Sequence, residues 1–293
     1  MRDRFIGLGR GEEGGNNMKR VLGIIATARR FGNSELMVKH ILSRLPVQVE
    51  KRMLNLAELK LEYCRACYKC LEPGQSCPLP DDLNFVLEEI RQADAIVLAV
   101  PVYFLGPHAS LKVFADRLLG VGANSEQYAG KACVTITTYG APGWMGYAQE
   151  VVDMLPKLFR FQHVGSLLVH AALPGEGLAN PQVVAELDRL ARALQTGGEV
   201  TRAPFACPDC GSGYVRLQQA DAFLCPLCGS TGTVGQAGLE LGESRQQSRF
   251  SPEGLKEHFN HWLVEMKQKF LQNRVQLKEV QKPYRGLDWW VRK

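Results

Sequence analysis

From Lys19 to about Ala171 the chain alternates short apolar runs with amphipathic stretches. That alternation admits little besides a parallel sheet covered by helices on both faces. Residues 20–26 (RVLGIIA), 47–54, 94–100 (DAIVLAV), 131–138 (KACVTITT) and 163–171 read as five strands. Residues 33–45, 81–92, 110–119 and 146–161 carry apolar side chains at helical spacing between them. The expected fold is α/β, a doubly wound five-stranded parallel sheet. A further helix over 181–195 turns Val183, Val184, Leu187, Leu190 and Leu194 back onto it.

The rest of the chain divides by composition. Residues 1–17 are polar and Gly-rich and read as a flexible tail, with Met18 as an alternative start. The sheet domain spans 18–198 and carries a cysteine-rich loop at 64–77; a second cysteine module spans 204–234. Residues 235–251 read as a polar link, and 252–293 as a C-terminal helix and tail with Leu255, Phe259, Trp262, Met266 and Phe270 on one packing stripe. Lys+Arg 35 against Asp+Glu 30 gives +5. Residues 254–293 hold nine basic and four acidic side chains, so the excess sits in this tail, most simply as a solvated helix face. No apolar run approaches the ~20 residues of a membrane helix. The N-terminal stretch lacks a signal-peptide core, so a cytoplasmic, reducing setting is expected. There, clustered thiols suggest metal ligands before disulfides.

In an open parallel sheet, ligands bind outside the carboxyl ends of the strands. Three loops are expected at that edge. The first, 27–34 (TARRFGNS), offers Thr27, Arg29, Asn33 and Ser34 beside a helix N-terminus, which favours an anion; simple helix capping is the competing reading. It is neither GxGxxG nor a Walker loop. The second, 101–107 (PVYFLGP), presents flat apolar surface at Pro101, Val102, Tyr103 and Phe104. The third, 139–144 (YGAPGW), has glycines where backbone must approach a ligand closely.

Taken in order, T-x-R-x-x-x-N-S, the strand ending P-V-Y and the helix LKVFADRL at 111–118 resemble the flavodoxin-like NADPH-dependent FMN reductase superfamily. The resemblance covers residues 19–171. It implies a flavodoxin-like sheet with FMN. Thr27, Arg29, Asn33 and Ser34 would hold the phosphate, Pro101, Val102, Tyr103 and Phe104 would line the ring, and Tyr139 and Gly140 would stand on its far side. The cofactor would carry the redox chemistry, so no catalytic side chain is expected.

Cys64-x2-Cys67-x2-Cys70-x6-Cys77 places three thiolates at two-residue gaps and a fourth close by. That compact spacing suits a [4Fe–4S] cluster better than zinc, which usually takes two separate CxxC knuckles; zinc and redox-active thiols are the alternatives. With this motif in this loop, the chain resembles the iron–sulfur flavoprotein family. The resemblance carries the four cysteines over as cluster ligands, and implies a homo-oligomer, dimer or tetramer, in which one subunit's cluster neighbours another's FMN. Lys69 and Arg65 beside the cluster read as ordinary exposed side chains.

Cys207-Pro-Asp-Cys210-Gly and Cys225-Pro-Leu-Cys228-Gly are two matching knuckles, with a short hairpin expected over 214–217 and 222–224. Four thiolates at this spacing predict a tetrahedral ion, zinc in a ribbon-like module or a rubredoxin-type iron. Cys133, mid-strand, reads as a buried inert thiol, His108 as a helix-start residue, and Trp289-Trp290 as a docking or subunit contact. The function expected is electron transfer between NAD(P)H or ferredoxin and an unknown acceptor through FMN and [4Fe–4S]. The alternative is a redox-responsive regulator that binds nucleic acid or protein through the ribbon and basic tail, with nucleic acid the weaker candidate.

Overall fold

The computed structural model describes residues 18–198, 200, 203–218, 220–242, 248–285, 289 and 291. The tail expected at 1–17 and Trp290 lie outside them.

The sheet domain runs β1 (Arg20–Ile25), α1 (Asn33–Ser43), β2 (Glu50–Asn55), α2 (Leu83–Gln92), β3 (Ala95–Tyr103), β4 (Gly106–Pro107), α3 (Ala109–Asp116), α4 (Leu119–Ala123), β5 (Ala132–Tyr139), α5 (Ala148–Leu158), β6 (Gln162–His170), α6 (Glu176–Ala179) and α7 (Pro181–Thr196). The five long strands are parallel in the order β2-β1-β3-β5-β6. Strand order therefore reverses between β1 and β3, and a cleft is expected at their carboxyl ends.

Period-two alternation sends each central strand's side chains to opposite cores. Val21, Ile25, Val97, Val134 and Ile136 pack with Met37, Val38 and Ile41 of α1 and Leu187, Leu190 and Leu194 of α7. Leu22, Ile24, Ile96 and Leu98 pack on the other face with Val86 and Ile90 of α2, Leu111 and Phe114 of α3, and Val152 and Leu155 of α5. Gly23 lets α1 close on the sheet, for a Cβ there would lie 2.4 Å from Val38 Cγ1.

The strands match the sequence expectation in order and type, with edges that shift. Residue 47 stays outside β2, being 92% exposed. β3 continues past Val100 to Tyr103 and pairs antiparallel with β4. The turn between them puts Phe104 (φ 49°) and Leu105 (φ 68°) both in the left-handed region, the conformation a tight hairpin requires and one that strains non-glycine residues.

The second module is a four-stranded antiparallel ribbon of β7 (Arg216–Leu217), β8 (Ala222–Leu224), β9 (Thr231–Gly235) and β10 (Gly238–Leu241). The expected hairpin is β7–β8. β10 falls in the stretch read as a link, yet it pairs residue by residue with β9 and carries the ribbon to Leu241. Beyond it, Arg249 N–H bonds to Cys228 O at 2.9 Å.

The C-terminal segment is not one continuous helix. It runs α8 (Pro252–Lys256), a π-helical stretch (Glu257–Trp262), α9 (Leu263–Gln272) and α10 (Arg274–Gln281). The π stretch coincides with docking on α4: a Cβ at Gly122 would meet Phe259 at 2.2 Å, and Asn260 Nδ2 donates to Ala123 O at 3.1 Å. Leu255 and Leu263 are buried, whereas Trp262 and Phe270 are about half exposed and Trp289 is exposed, so the expected packing stripe holds only in its first part.

Candidate functional site

A cleft of about 250 Å³ opens at the β1–β3 switch point, lined by Thr27, Arg29, Gly32, Asn33, Ser34, Pro101, Val102, Tyr103, Thr138, Tyr139, Gly140, Ala171 and Ala172. All three loops singled out in the sequence thus converge there. Phe104 stands off this lining, 93% exposed on the hairpin turn. Thr138 and the turn after β6 are additions that sequence reasoning missed; Thr138 lies one residue before the third loop, at the end of β5.

The polar groups of the cleft divide into those already engaged and those left facing it. Gly32 is the extended N-cap of α1, and the first-turn N–H groups of that helix have no intrahelical partner. Thr27 Oγ1 accepts from Arg29 N–H at 3.1 Å, which turns the loop back on itself. The Ser34 and Thr138 hydroxyls meet at 3.2 Å. Arg29 Nη1 donates to Ala172 O at 3.2 Å, leaving the remainder of the fork for an anion. Asn33 behaves differently. Its Nδ2 donates to Ala171 O (3.1 Å) and Leu173 O (2.9 Å), and its Oδ1 accepts from Gly177 N–H (3.2 Å). Both amide donors are therefore spent on holding the β6–α6 turn. An anion bound here meets helix N–H groups, Thr27, Arg29 and Ser34, with Asn33 as the strut behind them. His108 caps α3, accepting from Ser110 N–H, and its ring meets Tyr103 edge-on at 4.9 Å.

The cysteine loop sits on the α3–α4 junction. Cys64 and Cys67 are exposed, and Cys70 and Cys77 are partly buried against a cleft of about 280 Å³ that Arg117 and Gly120 also line. Ala66 and Tyr68 adopt left-handed φ of 47° and 57°, coiling the loop on itself. Burial pushes the Cys70 thiol up, and the neighbouring Cys77, Cys67 and Cys64 sulfurs add to that rise while the Gly120 N–H opposes it. Among the described residues only the ribbon cysteines lie within 4.8 Å of one another; the four sulfurs of this loop are more widely spread and do not form a single-ion group. Arg117 closes the loop at Cys77. Its Nη2 donates to Cys77 Sγ at 3.1 Å, an acceptor best served by an ionised or metal-bound sulfur. Sequence reading missed Arg117, although a cation beside Leu111, Phe114 and Leu118 on the buried stripe of one helix was the available signal.

In the ribbon, Cys207, Cys210, Cys225 and Cys228 are buried with their sulfurs within 4.8 Å of one another. Closest pairs are Cys207–Cys228 at 3.6 Å and Cys210–Cys225 at 3.5 Å, near the roughly 3.8 Å edge of a tetrahedron with 2.3 Å metal–sulfur bonds. The two knuckles repeat each other: Gly211 N–H bonds to Cys207 O (2.8 Å) and Gly229 N–H to Cys225 O (2.9 Å). Both glycines are left-handed, φ 76° and 83°. Sharing of protons among the four crowded sulfurs holds the Cys207 and Cys225 thiols below the ordinary thiol range. The donor set fits one divalent ion. Tyr214 Oη donates to Gly146 O at 2.8 Å, fastening the ribbon to the sheet domain beside the Phe104–Leu105 turn. At that joint Tyr147 N–H bonds to Leu105 O at 2.8 Å.

Cys133 is buried as expected, and burial pushes its thiol far up, so it is inert. No described helix is long and apolar enough to cross a membrane.

The sequence profile of the NADPH-dependent FMN reductase family matches residues 19–173, more than half of the chain. The chain belongs to this family. It is a flavodoxin-like flavoprotein oxidoreductase with a four-cysteine metal-binding module. An iron–sulfur flavoprotein of Archaeoglobus fulgidus is 29% identical over 187 residues, 63% of this chain and 80% of the relative. A flavone synthase of Aspergillus candidus is 24% identical over 260 residues, 79% of this chain and 78% of the relative. Among solved structures, a flavone reductase superposes with a TM-score of 0.76 at 18% identity, covering 94% of this chain and all (100%) of its own. The shared fold thus extends beyond the sheet domain.

Proposed function

We propose that the chain is an electron-transfer oxidoreductase that binds FMN in the switch-point cleft and a [4Fe–4S] cluster on Cys64, Cys67, Cys70 and Cys77. It takes electrons from NAD(P)H or a reduced ferredoxin and passes them to a small-molecule or protein acceptor. The carrying observation is that one segment serves both sites: Pro101–Tyr103 line the cleft, and fourteen residues after Tyr103 Arg117 bonds to Cys77. Bound FMN exchanges one or two electrons and a cluster one at a time, so the pair couples the two kinds of partner.

The protein's part is binding and orientation. The α1 N-terminus, Thr27, Arg29 and Ser34 hold the phosphate, with the helix dipole favouring its charge. Pro101, Val102 and Tyr103 support one side of the ring, and Tyr139 and Gly140 bound the other. Phe104, turned away from the cleft, is left to cover the ring of a second copy in a homo-oligomer. Exposed Tyr103, Trp144 and Tyr147 at the rim suit a planar conjugated acceptor. The flavone synthase relative supports that class. Zinc in the ribbon, with iron as the alternative, holds Tyr214 against the cleft's edge. This attachment favours a structural wall over a free nucleic-acid reader.

Anaerobic mixing with NADPH or NADH should bleach the flavin absorbance within the turnover time and then reduce the cluster. A protein that stays oxidised with both nucleotides but is reduced by a ferredoxin system is a carrier rather than a reductase. One that neither donor reduces overturns the proposal.

A further inference from the structure

The cysteine loop is closed at its base by one buried cation. Arg117 and Asp81 are each 1% exposed, and their side chains meet through Nη1 to Oδ2 at 2.6 Å and Nη2 to Oδ1 at 3.2 Å. Nη1 also donates to Glu62 O, and Asp81 Oδ2 accepts from Glu62 N–H at 2.8 Å. The guanidinium thus touches the residue that enters the loop, the residue that leaves it and, through Nη2, the Cys77 sulfur at 3.1 Å. A fully buried ion pair is weak evidence for stability, because an apolar pair of similar volume often does as well. What an apolar pair could not make is the third contact, the donor to Cys77 Sγ.

Three residues further on, the support for the loop is backbone. A Cβ at Gly120 would lie 3.1 Å from the Cys70 carbonyl oxygen and 3.2 Å from Cys70 Cβ, so only glycine permits this approach without displacement. The loop's two inner cysteines therefore both rest on the α3–α4 junction, Cys77 through the Arg117 donor and Cys70 by packing on Gly120, while Cys64 and Cys67 face outward. Arg65 and Lys69, the cations nearest in sequence, are exposed and make no comparable contact with a cysteine.

We propose that Arg117 is a positioning residue for the cluster: it donates a charge-assisted hydrogen bond to the Cys77 sulfur, fixes Cys77 as a partly buried ligand and raises the cluster's reduction potential. This rests on the reading that residues 64–77 hold a [4Fe–4S] centre. Reduction adds a negative charge that spreads onto the ligand sulfurs, so a cation and N–H donor at one of them favours the reduced state. Asp81 partly offsets the charge but not the directed hydrogen bond.

The test is an EPR-monitored redox titration of the holoprotein and of an Arg117→Gln/Asp81→Asn double variant, which removes both buried charges together and strands neither. The double variant should keep its iron and fall in midpoint potential by the equivalent of about a tenfold change in the oxidised-to-reduced ratio, about 59 mV for one electron. Iron kept with an unchanged potential overturns the proposal. If the double variant loses its iron, wild-type protein labelled with guanidino-15N arginine decides: a 15N coupling to the reduced cluster in pulsed EPR, lost in Arg117→Lys, supports the contact, and no coupling overturns it. If Cys70→Ser leaves the iron content unchanged, the cluster reading itself fails and the proposal with it.

Discussion

Replacing Asn33 by alanine separates two roles that the same residue could play. As a strut, Asn33 makes three hydrogen bonds to the β6–α6 turn, at 2.9–3.2 Å, from a side chain only 8% exposed. Each bond contributes about 1 kcal/mol net, and truncation also strands the buried Gly177 N–H. Asn33→Ala should therefore destabilise the flavin-free protein by about 3 kcal/mol, a fall of about 6–12 °C in the melting temperature of the sheet domain. Circular dichroism with heat and urea, on protein stripped of flavin, gives both numbers. Ser34→Ala provides the contrast. It gives up one hydroxyl contact with Thr138 and should change flavin-free stability by about 1 kcal/mol or less. Its larger effect should be on FMN affinity. The strut argument is refuted if Asn33→Ala leaves flavin-free stability within about 1 kcal/mol of wild type while weakening FMN at least about tenfold, for the amide would then be a direct ligand.

Tyr214→Phe removes the hydrogen bond that ties the ribbon to Gly146, and should leave zinc content unchanged while weakening FMN binding by a few-fold; unchanged affinity by fluorescence titration would detach the ribbon from the cleft. Chelation of the ribbon ion should abolish the ribbon's amide protection from hydrogen exchange and leave that of β1, β3 and β5 intact. Burial lowers the His163 imidazole from 6.5 to about 4, so below pH 6.5 the unfolded chain takes up a proton that the folded one refuses. Its contribution is complete above pH 6.5 and is lost as pH falls toward 4, by at most about 3 kcal/mol. Asp153, which burial raises, titrates with the opposite sign, so the comparison is with His163→Asn; equal pH slopes in both proteins between pH 4 and 6.5 would contradict the assignment.

The sheet was legible because its apolar runs and amphipathic helices have distinct periods, and because burial on both faces leaves a central strand such as β3 nearly all apolar. The three cleft loops were legible for a related reason: topology brings every carboxyl end to one edge. What the sequence did not display were pairings that depend on distant partners. Asn33 looks like an anion ligand or a cap until the turn after β6 is seen to claim both of its amide donors. Arg117 is one charge in a helical pattern, and its three partners lie 36 to 55 residues away, one in the cysteine loop and two at its ends. β10 carries only two apolar residues, too few to mark a strand, and forms because β9 offers it an edge. The C-terminal helix widens to π geometry where Phe259 seats on Gly122, a contact that helical spacing alone cannot encode.

The central claim is that the two cysteine sets hold different centres, one of them redox-active and alongside a flavin site. Iron, zinc and FMN measured per chain in protein purified without oxygen, for wild type, Cys67→Ser and Cys225→Ser, address it most directly. Wild type should contain about four iron, one zinc and one FMN. Cys67→Ser should lose the iron alone, and Cys225→Ser the zinc alone. Iron that leaves with Cys225→Ser and stays in Cys67→Ser, or FMN-loaded wild type free of iron after anaerobic reconstitution, would contradict the account.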